Sequence, residues 1–205
     1  MDRTQAFGQD GKLTLVDRFG IWLSLRQLRK WAVPRPGLRV CEVGAGYHAP
    51  LSRAYAAQGA QVTALDLALS PEVQATPGLQ AVEGSLPGTL QGLGEGSMDL
   101  VLCISVLEHL WEPLEALASF HRMLAPGGLC LINVPSWRGK AWLEHSAFRM
   151  GWSPKAEMDD HKTYYDPRDL WPLLVRAGFQ PSGIRCFRHK FSLNTFAVCR
   201  KAPPL

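Results

Sequence analysis

The sequence predicts an α/β fold: a single three-layer domain over residues 1–205, with a mostly parallel seven-stranded sheet, helices on both faces and an antiparallel C-terminal strand hairpin. Three observations predict it. Strand-like and helical segments alternate from Arg39 to Val134, the pattern that builds a parallel sheet covered by crossover helices. Met98–Val106 is largely apolar, as a strand buried on both faces must be. Ile184–Phe187 and Phe191–Val198 are separated only by Arg188-His189-Lys190, too little chain for a crossover, so they pair antiparallel.

Residues 1–36 are expected to form an N-terminal helical segment. Its helix, Asp17–Trp31, mixes Phe19, Ile21, Trp22, Leu23, Leu25, Leu28 and Trp31 with Arg18, Arg26, Arg29 and Lys30. An apolar stripe packed on the domain is preferred to a helix lying in a membrane interface. Arg39–Gly44 reads as the first strand and Pro50–Gln58 as a helix ended by Gly59. Gln61–Asp66 and Leu79–Glu83 are the next strands, joined by a Pro-broken segment near Leu69–Thr76, and Gly88–Gly96 is a glycine-rich connection to the fourth strand. Leu110, Leu114, Leu117 and Leu124 recur at helical spacing through Glu112–Leu124, and Pro126-Gly127-Gly128 ends that helix before the strand Leu129–Val134. Residues 136–165 are too long for an ordinary connection and carry Trp137, Trp142, Phe148 and Trp152. Pro167–Ala177 is a helix closed by Gly178.

Composition narrows the function. Lys plus Arg number 22 against 18 Asp plus Glu, a net charge of only +4 with no basic run, so no nucleic-acid partner is implied. The five cysteines are scattered, never form Cys-x-x-Cys, and read as reduced core residues; no metal is implied. Met1–Lys12 is polar rather than a signal peptide, and no apolar run reaches the roughly 18 residues that span a bilayer. A cytoplasmic protein with no integral membrane segment is expected, and a homodimer is left open.

The chemistry starts at Val40-Cys41-Glu42-Val43-Gly44-Ala45-Gly46, where a β-branched strand enters a Gly-x-Gly turn followed by a helix. Such a turn lets backbone N–H groups approach a ligand, although plain tight turns share the pattern. Asp66 ends the second strand twenty positions after Gly46, the spacing at which a carboxylate accepts both ribose hydroxyls of a nucleoside lying over the first turn. Its alternative is a turn or capping aspartate. Glu42 would repel a pyrophosphate and suits a cationic ligand instead. Its alternative is a buried glutamate bonded to loop N–H groups.

These motifs resemble the class I, Rossmann-like S-adenosylmethionine-dependent methyltransferases, specifically the small bacterial type 11 kind. Val40–Gly46 is similar to the family's first motif and Val62-Thr63-Ala64-Leu65-Asp66 to its ribose-binding second. Asp99-Leu100-Val101 with Val106-Leu107-Glu108-His109-Leu110 is similar to its fourth-strand signature, and Leu124-Ala125-Pro126-Gly127-Gly128-Leu129 to the turn before its fifth strand. The resemblance implies S-adenosyl-L-methionine as cofactor and S-adenosyl-L-homocysteine as product, held by Glu42, Gly44, Ala45, Gly46, Asp66, Leu67, Ser85 and Ser105. Two positions depart from the pattern: His48 replaces a third glycine and narrows the turn, and Ser85 stands where an acid usually meets the adenine amino group.

The resemblance also places the acceptor beyond the fourth and fifth strands, under a lid formed by residues 136–165. Asn133, Trp137 and Tyr164 are its candidate substrate-binding residues, and the bulky aromatics serve either as pocket or as the lid's own core. His161, beside Asp159, Asp160, Tyr164 and Tyr165, is the leading candidate for proton transfer, with His109 second. His121 and His189 are expected to face solvent. Cys103-Ile104-Ser105-Val106 lacks Asn-Pro-Pro-aromatic, which argues against DNA adenine or protein glutamine as acceptor. The expected reaction is methyl transfer to a hydroxyl, carboxyl or amine of a small-molecule or glycan-linked acceptor. The rivals are an NAD-dependent oxidoreductase, since Gly44-x-Gly46-x-x-Ala49 also fits a dinucleotide turn, and a non-catalytic S-adenosylmethionine-binding scaffold.

Overall fold

A computed structural model describes residues 5–9, 15–145 and 160–203. Five strands run parallel: β1 (Arg39–Val43), β2 (Gln61–Asp66), β3 (Leu79–Glu83), β4 (Met98–Ile104) and β5 (Leu124–Pro135). The hairpin β6 (Ile184–His189) and β7 (Asn194–Arg200) completes a seven-stranded sheet in the order β3-β2-β1-β4-β5-β7-β6. Only β7 opposes the common direction, pairing antiparallel with both β5 and β6.

Alternate strand residues face opposite sides, and each side is roofed by helices. Val40, Val62, Leu102, Leu131 and Phe196 pack under α1 (Leu15–Leu28) and α2 (Pro50–Ala56) through Leu28, Leu51 and Tyr55. On the same side, Val73 of α3 (Pro71–Gln74) packs on Ala45 and Ala64. Cys41, Val101, Cys130 and Ala197 face α4 (Gly88–Gln91), α5 (Pro113–Met123) and α7 (Pro167–Arg176) through Leu90, Leu117, Phe120, Leu170 and Leu174. Burying one such Leu or Phe side chain contributes about 1.5–3 kcal/mol. All five cysteines are free thiols, four of them fully within the core.

At the amino end of the parallel strands, Asp99 of β4 grips the first residue of β1. Its Oδ2 accepts the Arg39 amide at 3.0 Å and Nε at 3.1 Å, and its Oδ1 accepts Nη2 at 2.6 Å. The guanidinium holds the Asp99 carboxyl below the usual carboxylate range.

Several boundaries differ from the sequence expectation. The glycine-rich connection contains α4, and β5 begins at Leu124, because α5 passes into the strand without a loop and Leu124 already pairs with Met98. Residues 137–145 of the long segment form α6 (Trp137–His145), while Phe148, Trp152 and Asp159 lie outside the described residues. The hairpin turn falls at residues 190–193 rather than 188–190, since Lys190, Phe191 and Ser192 all take left-handed backbone. His121 and His189 are half-buried, not solvent-facing. The His121 ring lies edge-on to Phe179 at 5.0 Å and that of His189 to Phe196 at 5.6 Å. Burial depresses both imidazoles, that of His189 to about 4.

Candidate active site

The turn after β1 sits at the carboxyl end of the sheet, beside the point where strand order reverses between β1 and β4. Gly44 and Gly46 have φ of 71° and 73°, left-handed values that cost glycine little. A Cβ on Gly44 would overlap the Val106 side chain, so the turn and the segment after β4 are in direct contact. The Gly44 and Ala45 amides donate to the Leu65 carbonyl at 2.8 and 2.9 Å. Asp66 completes the staple: Oδ2 accepts the Gly46 amide and Oδ1 the Leu67 amide, each at 2.7 Å. A carboxylate has about four acceptor sites, so two amides do not exhaust it.

Glu42 takes the second role considered for it, a buried glutamate that accepts from backbone and side-chain donors. Its Oε2 accepts the Ser52 amide at 2.8 Å and the Ser52 hydroxyl at 2.5 Å. Ser52 is the third residue of α2, whose own N-cap, Ala49, has no side chain able to accept. A strand glutamate thus supplies the cap that the helix lacks. It also lines the cavity described next. Burial pushes its carboxyl up to about 8, with the Ser52 bonds opposing and the Asp66 charge adding to the rise.

A cavity of about 820 Å³ opens over this turn. Glu42, Gly44, Ala45, Gly46, Asp66, Leu67 and Ser85 line it, and so do Ser105, His109 and His161. His48 also faces the cavity, its ring edge-on to Tyr47 at 5.1 Å. Of the residues expected on its surface, Asn133, Trp137 and Tyr164 do not line it. Asn133 is buried on the α1 side of β5 and its amide atoms have no hydrogen-bond partner. Trp137 is half-exposed and donates Nε1 to Asp169 Oδ2 at 3.1 Å. Tyr164 is buried behind His161, with its hydroxyl 3.0 Å from Nδ1.

His109 lies in a 3-10 turn, Leu107–His109, directly after β4. Its Nδ1 is 2.9 Å from Asp160 Oδ2, and Lys162 Nζ is 3.2 Å from Asp160 Oδ1. A carboxylate against one imidazole nitrogen fixes the ring and favours a proton on it. The His109 and His161 rings approach edge-on with centroids 4.8 Å apart. Buried Glu108 joins them: Glu108, His109 and His161 offer three donor atoms within 4.8 Å of one another, a set able to hold a divalent cation.

Three contributors escaped the sequence reading: Lys190 and Ser24 line the cavity, and Asp160 orients His109, while Trp142, weighed as either pocket or lid core, lines the cavity. The apolar stripe of α1 carried no sign that Ser24 would face a ligand space. Only the acidic neighbourhood of His161 hinted at Asp160.

The family model described as a methyltransferase domain matches residues 16–182. The ubiquinone biosynthesis O-methyltransferase of Xanthomonas campestris pv. campestris (strain B100) is 38% identical over 110 residues, covering 50% of this chain and 45% of that protein. The protein of the same name from Idiomarina loihiensis is 31% identical over 162 residues, covering 72% and 64%. The chain thus spans about half to just under two thirds of the length of these curated relatives. Among solved structures, Burkholderia thailandensis 1,6-didemethyltoxoflavin-N1-methyltransferase superposes with a TM-score of 0.63 at 21% identity, covering 91% of this chain and 83% of that one. The [4+2]-cyclase SpnF superposes with a TM-score of 0.64 at 14% identity, covering 98% and 87%. These two likenesses establish the fold alone. With its family model matching most of its length, the chain belongs to the methyltransferase-domain family.

Proposed function

We propose that the chain binds S-adenosyl-L-methionine in the β1 turn and methylates a hydroxyl of a small-molecule acceptor, with S-adenosyl-L-homocysteine as product. The observation that carries this is one cavity lined both by the Asp66-closed glycine turn and by His109 and His161. The donors fit the cofactor. Asp66 is an acceptor for ribose hydroxyls, and the Glu42 carboxyl lines the cavity, where an approaching ammonium would draw it into its ionised form and a pyrophosphate would not. That preference, together with the antiparallel β7, disfavours the dinucleotide alternative. The names of the O-methyltransferase relatives support oxygen as the acceptor atom.

Bound there, the cofactor supplies an electrophilic methyl group on a sulfonium. The chain's residues then have three tasks. The turn and Asp66 hold the nucleoside end, which fixes alignment for in-line displacement. Val106 and Leu110 help wall the reacting end from water, and Gly139 and Trp142 of α6 line the same cavity. His109, oriented by Asp160, takes the hydroxyl proton as the new bond forms, and His161 with Tyr164 stands beside it.

Titration calorimetry with S-adenosylmethionine, S-adenosylhomocysteine and NAD tests the cofactor, and release of S-adenosylhomocysteine with candidate acceptors tests turnover. Binding of the first two but not NAD is the expected result. Binding of NAD alone would overturn the proposal, and binding without turnover on any acceptor would favour the scaffold.

A further inference from the structure

The loop between β6 and β7 carries a cation into the acceptor end of the cavity. Lys190, Phe191 and Ser192 have φ of 47°, 58° and 68°, three successive left-handed residues without a glycine. Each costs roughly 1–2 kcal/mol, so the surrounding contacts must hold the loop in place. Buried Ser136 does so: its hydroxyl donates to the Ser192 carbonyl at 2.8 Å and its amide to the Leu193 carbonyl at 2.9 Å. Gly139 admits the Leu193 carbonyl where any Cβ would collide with it. The outcome is that Phe191 points outward, 82% exposed, while Lys190 lines the cavity.

Among the described residues no carboxylate lies within ion-pair distance of the Lys190 ammonium. Glu108 acts on it electrostatically, and burial lowers it to about 8. A half-buried cation facing a cavity with no ion-pair partner among the described residues offers an anionic ligand a charge-assisted contact. We infer that Lys190 anchors a carboxylate on the methyl acceptor, making the substrate class a hydroxylated small acid; this rests on the methyltransferase reading above. Lys190 and His109 line the same cavity, so one acceptor can meet both.

The test uses 3- and 4-hydroxybenzoate and the matching hydroxybenzamides, titrated into the protein with and without saturating S-adenosylhomocysteine. At least one acid should bind about 10-fold tighter than its amide, the worth of one charge-assisted contact. Lys190→Met should remove that preference while amide and S-adenosylhomocysteine affinities stay within about twofold, and Lys190→Arg should retain it. The inference is overturned if no acid outbinds its amide on the wild type, or if the preference survives in Lys190→Met. Should Lys190→Met fail to fold, Lys190→Gln answers the same question. Failure of S-adenosylhomocysteine to bind sinks the cofactor reading instead, and the titrations without it still decide the role of Lys190.

Discussion

Asp66 Oδ2 receives the Gly46 amide at 2.7 Å, so the residue that ends β2 closes the turn that follows β1. One carboxylate thereby shapes the cradle and faces its contents. Asp66→Ala should cost about 1–3 kcal/mol of stability through the orphaned amides and lower S-adenosylhomocysteine affinity by about 100-fold. Asp66→Asn, which keeps an acceptor, should fall between. Chemical denaturation and calorimetry on the same samples separate the two effects; unchanged affinity in Asp66→Ala would sink the ribose assignment.

Glu42 makes stability pH-dependent in a direction opposite to most carboxylates. Its ordinary value is 4.5 and its folded value about 8, so between those limits the folded state holds a proton that the unfolded state has released. The contribution is fully present below 4.5 and is lost as pH rises through 8. Glu42→Gln, which still offers Ser52 an acceptor, should gain on the wild type across that window by on the order of a few kcal/mol. Melting curves of both proteins from pH 5 to 9 check it, and a constant difference would show that Glu42 ionises normally.

The Gly44–Val106 contact gives a packing test. Gly44→Ala adds a left-handed strain of about 1–2 kcal/mol and an overlap with Val106 worth about 1–3 kcal/mol. Adding Val106→Ala should recover the second part and not the first. A double-mutant cycle should therefore return a coupling of about 1 kcal/mol or more, measured by urea unfolding.

Proton transfer is tested at His109, Asp160, His161 and Tyr164. His109→Ala should slow turnover by about 100-fold or more and Asp160→Asn by a smaller factor, since the ring remains without its orienting partner. His161→Ala and Tyr164→Phe should follow in that order. S-adenosylhomocysteine affinity should stay within about twofold throughout. Full activity in His109→Ala across the pH range would remove it as the base.

Features set by local chain order were legible in the sequence. The Gly-x-Gly turn, Asp66 and the alternation of elements depend on spacing within a few dozen residues, and strand parity follows from them. Features set by helical phase or by long-range pairing were not. Trp137 and Trp142 are five positions apart, about 140° around a helix, so only one can face the cavity, and the sequence reading favoured Trp137. It is Trp142, because Trp137 is drawn to Asp169 on α7. Asn133 shares its strand face with Pro135, which lines the cavity, but it sits two residues deeper in β5 between core positions and is buried short of the pocket. His109 and Asp160 meet across a long stretch of chain, a pairing that no local spacing announces. Left-handed backbone at Lys190 has no glycine to announce it.

The insertion of β7 between β5 and β6 also bears on how the protein folds. β5 cannot complete its ladder until Leu129 meets Arg200 and Pro135 meets Asn194, a closure between distant parts of the chain. Such non-local pairing forms late. Until the β6–β7 hairpin docks, the apolar strand Leu129–Val134 presents a bare edge able to recruit strands from other molecules. Aggregation during refolding should therefore originate at β5, and substitutions that weaken the hairpin should increase it even where the finished fold tolerates them.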